Sequence, residues 1–224
     1  MAGLTPAAGM RTGAREVDLH MTTDVLQDSR VTLQRRLFHD ARTTHLFVDE
    51  PVDAAVVREV YEAVRWAPTA MNGQPLRLAV VESPEARERL VAHMNEGNKA
   101  KTRTAPLTVV AAYDPDFHEH LEVLAPHRVG AREKMAGDPE FRHTFGRTNG
   151  LIQLGYLILG LRAAGLAVGP MTGLDAAGLD ADFFAESGWR TLAVLNVGHA
   201  ASDAPGAVHP RAGRLDFDTA AVVL

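Results

Sequence analysis

In "EPVDAAVVREVYEAVRWAP" the apolar positions Val56, Val57, Val60, Tyr61 and Val64 fall three and four residues apart, which predicts a helix that Pro68 closes. The same spacing at Val25, Leu26, Leu33 and Leu37 predicts an earlier helix in "VLQDSRVTLQRRLF". In "SPEARERLVAHM", Ser83 stands at a cap position with Pro84 as first helical residue, a clear start signal. Short runs rich in β-branched residues, "LRLAVVE", "APLTVVAAYD", "LAVGP" and "WRTLAVLNVG", predict strands. A polar helical region follows the second of these. It leads into a long apolar helix from about Asn149 to Ala164, and "DAAGLDADFFAES" predicts a shorter helix later. The ending "HPRAGRLDFDTAAVVL" is irregular, first basic and then apolar.

Strands and helices interleave without a clean strand–helix repeat, and only three or four strands are visible. That favours an α+β arrangement, a small central sheet flanked by helices, over a doubly wound nucleotide fold. No internal repeat or low-complexity linker divides the chain, so residues 23–224 read as one domain. Residues 1–22, small, Gly/Ala-rich and aperiodic, read as a disordered tail, with Met1 or Met21 as the translation start.

Composition narrows the classes. The chain has 224 residues, 46% hydrophobic and 23% charged, as in an ordinary globular protein. A net charge of −5 argues against broad nucleic-acid or anionic-membrane binding, so an anion site must be a local basic cluster. Cysteine is absent, which excludes disulfides, thiolate metal sites and a cysteine nucleophile, and is compatible with a cytoplasmic location. The run "LIQLGYLILGLRAAGLAVG" is interrupted by Gln153 and Arg162, which reads as a buried helix rather than a membrane span.

The common nucleotide, hydrolase and metalloprotease fingerprints are missing. His118, His120 and His127 suggest a metal site, but no carboxylate cluster completes one, so they read as solvated helix-surface histidines. Lys99, Lys101 and Arg103 read as an exposed basic loop able to guide an anionic substrate. Four stretches stand out: "DARTTHLF" with Arg42, Thr43 and His45; "PTAMNGQP" with Asn72 and Gln74; "GPMTGLD", placed after a strand, with Gly169, Pro170 and Gly173; and "HPRAGR" with His209, Arg211 and Arg214. Together they supply cations for a phosphate, amides for a heterocycle edge and glycine-opened backbone.

The stretches "FHDART", "WAPTAMNGQPLR", "GNKAKTRTAP", "APH", "GLAVGPMTGLDA", "LNVGH" and "PRAGRLDF", in this order and spacing, resemble the flavin-dependent nitroreductase family over roughly Leu37 to the C-terminus. Within it, the likeness is to the malonic semialdehyde reductases of pyrimidine catabolism. The resemblance implies an α+β fold in an intertwined homodimer, FMN at the subunit interface, NADH or NADPH as electron donor, and no protein nucleophile. The acceptor it implies is malonic semialdehyde (3-oxopropanoate), with a broad nitroarene or quinone reductase as the alternative. It further implies that Arg42, Thr43, His45 and Arg211 bind the ribityl phosphate, and that Pro68, Thr69, Ala70, Met71 and Asn72 line the ring. Pro170, Met171, Thr172 and Gly173 would present backbone to its reactive centre. Many family members carry Arg or Lys where this chain has His45, and Lys where it has His209. The apolar helix is expected in the dimer core, with Gly155 and Gly160 allowing close backbone approach.

Overall fold

The computed structural model describes residues 28–224, so the predicted tail at 1–22 lies outside the described residues, as does the start of the first predicted helix. A helical stretch over residues 28–34 runs into a π-helical turn, Arg35–His39. The longer helices that follow are α1 (Ala55–Val64), α2 (Pro84–His93), α3 (Glu96–Arg103), α4 (Pro139–Ala163) and α5 (Ala176–Phe183). The strands are β1 (Leu76–Val81), β2 (Leu107–Tyr113), β3 (Ala167–Met171) and β4 (Arg190–Gly198). They form a four-stranded sheet of order β1-β2-β4-β3, antiparallel at every pairing.

The sheet is sandwiched. Val57 and Val60 of α1 and Leu154, Leu157 and Leu161 of α4 pack on one face, against Val109, Leu195 and Val168. Leu90 of α2 and Leu179 of α5 pack on the other, against Val110 and Val194. Alternate residues of β2 therefore serve opposite cores, which explains why that strand is buried along its whole length and reads as a continuous apolar run.

Several expectations change. The helix expected from Asn149 begins at Pro139, where Asp138 accepts a bond from the Phe141 N–H and caps a polar, amphipathic first half. The basic loop is helix α3, Glu96–Arg103: its cations alternate with Ala100 and Thr102, a two-residue spacing that hid the helical period and that puts Lys99 and Arg103 on one face and Lys101 on another. Gly169 and Pro170 lie within β3, not after it. His118 is 3% exposed rather than solvated, because the turn Phe117–His120 folds its ring into the protein beside Phe117. Gly160 does permit close approach, since a Cβ there would sit 2.7 Å from Val60 and Val64 of α1 within the same chain. Gly155 faces open space. Among the described residues no helix is long and apolar enough to cross a membrane.

Candidate active site

Residues 42–48 run along the outer edge of β3. Thr43 bridges Val168, the Thr44 N–H donates to the Val168 carbonyl at 3.2 Å, and Gly169 lies directly against the Thr44 carbonyl. The chain after β4 returns to this segment. Val48 N–H donates to His199 O, Ala201 N–H to Leu46 O, and His45 N–H to Ala207 O at 2.8 Å. Two stretches more than 160 residues apart are thereby laid side by side, and "DARTTH" meets "HPRAGR".

Between them is a cavity of about 450 Å³ lined by Arg42, Thr43, His45, Arg162, His209, Arg211 and Arg214, together with Phe38, Ala41, Pro210 and Ala212. Four guanidinium groups and two imidazoles face it, and no carboxylate lines it. The Arg211 guanidinium is steadied by the His39 and Ala41 carbonyls, and Arg162 donates to the Leu37 carbonyl at 3.1 Å. Arg42 has no hydrogen-bond or ion-pair partner among the described residues. His45 Nε2 is buried with no partner, and its ring meets that of His209 at 4.7 Å between centroids. Burial, then Lys101 and then His209 hold the His45 imidazole below its ordinary range. Such a cationic, carboxylate-free cavity with an unused buried ring nitrogen suits a phosphate or carboxylate.

Pro170 and Met171 end β3, with Met171 buried, and Thr172 and Gly173 continue from it, a Cβ on Gly173 falling against Asn98 and Asn95. The Gly173 carbonyl accepts from Asn95 N–H at 3.0 Å and from the Asn98 amide at 2.8 Å. Asn98 and Lys101 on α3 thus belong to this edge as well.

The turn Pro68–Asn72 lies elsewhere. It precedes β1, the opposite edge of the sheet, about 14 Å away at roughly 4.8 Å per strand step. Its backbone is unusual: Met71, Asn72 and Gln74 have φ of 55°, 51° and 42°. Long-range bonds hold it so. Ala70 N–H donates to Asn149 Oδ1 at 2.8 Å, and the Tyr156 hydroxyl donates to the Pro68 carbonyl at 3.1 Å. The Asn72 amide donates to the Leu124 carbonyl and accepts from Gln74 Nε2, both at 2.8 Å. Asn72 keeps one N–H and one lone pair for a ligand.

The structure therefore gathers Arg42, Thr43, His45 and Arg211 around one cavity and puts Pro170–Gly173 on the same edge, while Pro68, Thr69, Ala70, Met71 and Asn72 are separate within one chain. Sequence reasoning missed Arg162, Asn98, Asn149 and Tyr156. Asn149 and Gln153 carried a signal, as buried polar residues four apart in an apolar helix: Gln153 Oε1 accepts the Leu76 N–H at 2.9 Å and so fixes the start of β1. No group of three or more metal-ligating side chains occurs among the described residues.

Comparison with known proteins gives this arrangement a context. A Leptothrix cholodnii protein with the provisional name NADH dehydrogenase/NAD(P)H nitroreductase is 47% identical over 189 residues, 84% of this chain and 94% of its own length. A Streptomyces coelicolor protein of the same name is 48% identical over 165 residues, 74% of this chain and 82% of its own. Among solved structures, a nitroreductase from Exiguobacterium sibiricum, crystallised with FMN, superposes with a TM-score of 0.73 at 18% identity, covering 84% of this chain and 96% of that one. A Bacillus subtilis nitroreductase gives 0.72 at 17% identity, covering 88% and 100%. These two likenesses establish a nitroreductase-like fold. The nitroreductase family profile matches residues 40–199, from the start of the cationic segment to the end of β4, and with the close relatives it establishes that the chain belongs to the nitroreductase family.

Proposed function

We propose that the protein is an FMN-dependent NAD(P)H oxidoreductase. The observation that carries this reading is the cavity in which Arg42, Arg162, Arg211 and Arg214 converge with a partnerless His45 Nε2 and no carboxylate. Arg42, Thr43, His45 and Arg211 would hold the ribityl phosphate, helped by Arg162 and His209. When bound, FMN supplies the two-electron chemistry between reduced nicotinamide and an acceptor. The chain itself binds, orients and shields. Pro170–Gly173, fixed through the Gly173 carbonyl by Asn95 and Asn98, would set the ring against the β3 edge. The turn Pro68–Asn72 would cover the ring, with the remaining N–H and lone pair of Asn72 on its polar edge.

A homodimer follows from the same reading, because the turn and the cavity occupy opposite edges of the sheet and a second copy can unite them. Surface apolarity supports it. Trp66 is 79% exposed beside the turn, Phe141, Leu151 and Ile152 of α4 are also exposed, and so are Leu215, Phe217 and the terminal Val222–Leu224. We assign residues 23–224 to one domain of this kind, and a cytoplasmic location.

For the acceptor we propose malonic semialdehyde, reduced to 3-hydroxypropanoate. The support is the motif likeness and cations in excess of those a phosphate needs, Arg214 and Lys101 among them. Lys99 and Arg103 serve less well, being paired with Glu96 at 2.9 Å and Glu88 at 3.0 Å. The names of the close relatives favour a second reading, a broad nitroarene or quinone reductase. Oxidation of NADH and NADPH by the purified yellow protein, measured side by side with malonic semialdehyde, a nitroarene and a quinone, decides between them. A protein that takes up no FMN refutes both.

A further inference from the structure

The cavity contains two imidazoles where guanidinium groups alone would suffice to hold an anion. His45 is fixed from the C-terminal side by its N–H bond to the Ala207 carbonyl, and its ring stands edge-on to His209 at an interplanar angle of 63°. Its Nε2 is sealed from solvent and touches no hydrogen-bond partner among the described residues. Among the described residues the charged groups that line the cavity are all cations, Arg42 from its own segment, Arg162 from α4, and Arg211 and Arg214 from the C-terminal stretch, and Lys101 of α3 acts on the ring as a further one. Asp40, close in sequence, is paired with Arg35 at 2.8 Å and does not line the cavity. Without a bound anion this surrounding favours a neutral ring. A phosphate dianion reverses the balance, since it offers only acceptors and needs a donor at Nε2.

We propose that His45 takes up one proton when a phosphate dianion enters this cavity, so that anion binding here is proton-coupled. The inference rests on the reading of the cavity as the FMN phosphate site, and it concerns how that site is regulated. The sign follows from linkage. His45 lies below its ordinary value of about 6.5 among the protein groups alone, and a bound dianion raises it. Affinity is therefore greatest on the acid side and falls as pH rises through the bound-state value. The phosphate's own second ionisation, near pH 6, is nearly complete above pH 7 and would act in the opposite direction. Between about pH 7 and 8.5 the protein's share is isolated, and one linked proton means up to about a tenfold loss of affinity per unit.

The test is calorimetric titration of FMN into the full-length chain prepared without flavin, at pH 7.5, in two buffers of different ionisation enthalpy. Riboflavin, which lacks the phosphate, is the comparator. The expected result is uptake of about half to one proton with FMN, none with riboflavin, and none with FMN in the His45→Gln/His209→Gln variant. In parallel, the imidazole C–H resonances are titrated by NMR with and without sulfate, a dianion that does not itself titrate in this range. Sulfate should raise the midpoint of the resonance that His45→Gln deletes. Absence of uptake with FMN, or uptake that survives in the double variant, overturns the proposal. If FMN fails to bind while sulfate still shifts the His45 midpoint, the proton coupling stands and the flavin reading of the cavity falls. A His45 midpoint unmoved by sulfate in that case overturns both.

Discussion

Replacing Gly169 by alanine tests whether the fold and the cavity depend on the same contact. A Cβ built on Gly169 falls 2.3 Å from the Thr44 carbonyl oxygen, whereas an unstrained carbon–oxygen contact is about 3.3 Å or more. The intruding atom meets backbone, not a flexible side chain, so residues 42–45 must move off β3 by about 1 Å. The Thr44–Val168 hydrogen bond, already 3.2 Å, breaks first. Overpacking of this kind costs about 1–3 kcal/mol, which at roughly 2–4 °C per kcal/mol for a chain of this size lowers Tm by about 2–12 °C. Arg42 and His45 flank Thr44, so loss of one charge-assisted contact worth about 1.5–3 kcal/mol should weaken FMN binding about tenfold to a hundredfold. Thermal unfolding and quenching of FMN fluorescence measure the two effects. Gly97→Ala is the control: nothing lies within 4 Å of its Cβ position in α3, and alanine there should stabilise by about 0.5–1 kcal/mol without touching FMN. A Gly169→Ala protein with unchanged Tm and flavin affinity would refute the clamp between residue 44 and β3.

Arg42→Ala combined with Arg211→Ala should release FMN while the circular dichroism spectrum stays that of the parent, with about 1.5–3 kcal/mol lost per contact. Asn72→Ala should weaken FMN binding and also lower Tm by about 1–3 kcal/mol equivalent, because the bonds to Leu124 and Gln74 disappear; a wild-type flavin spectrum and affinity would show the turn to be merely structural. Arg214→Gln and Lys101→Gln should raise KM for malonic semialdehyde more than for a neutral quinone, whereas Lys99→Gln and Arg103→Gln should alter neither; equal effects on both acceptors would favour the broad reductase. A chain starting at Met21 should elute at the same oligomeric state as the full chain with the same flavin content, and a loss of soluble protein or a change of that state would make the tail part of the body.

The local content of this protein was written in its periodicities. The helix of Val56, Val57, Val60 and Val64, the Ser83–Pro84 start and the four β-rich runs are decided by residues a few positions apart, so they could be read directly. The side-chain types that line the candidate site, guanidinium groups, carboxamides and glycine-bearing backbone, were legible in the sequence, and their order and spacing carried the likeness to the nitroreductase family. What sequence could not supply was adjacency. Arg42 and His45 meet Arg211 and His209 only because the chain after β4 pairs back onto residues 45–48, a choice made by backbone hydrogen bonds that carry no side-chain signature. The basic run at Lys99–Arg103 became a helix with two of its cations paired on the surface with Glu96 and Glu88, and His118 turned inward with its loop. Burial decided the second, and burial is a property of the packed whole. The separation of the Pro68–Asn72 turn from the cavity, on opposite edges of one sheet, was likewise fixed by strand order, which depends on how the two cores close over the sheet and not on any single segment.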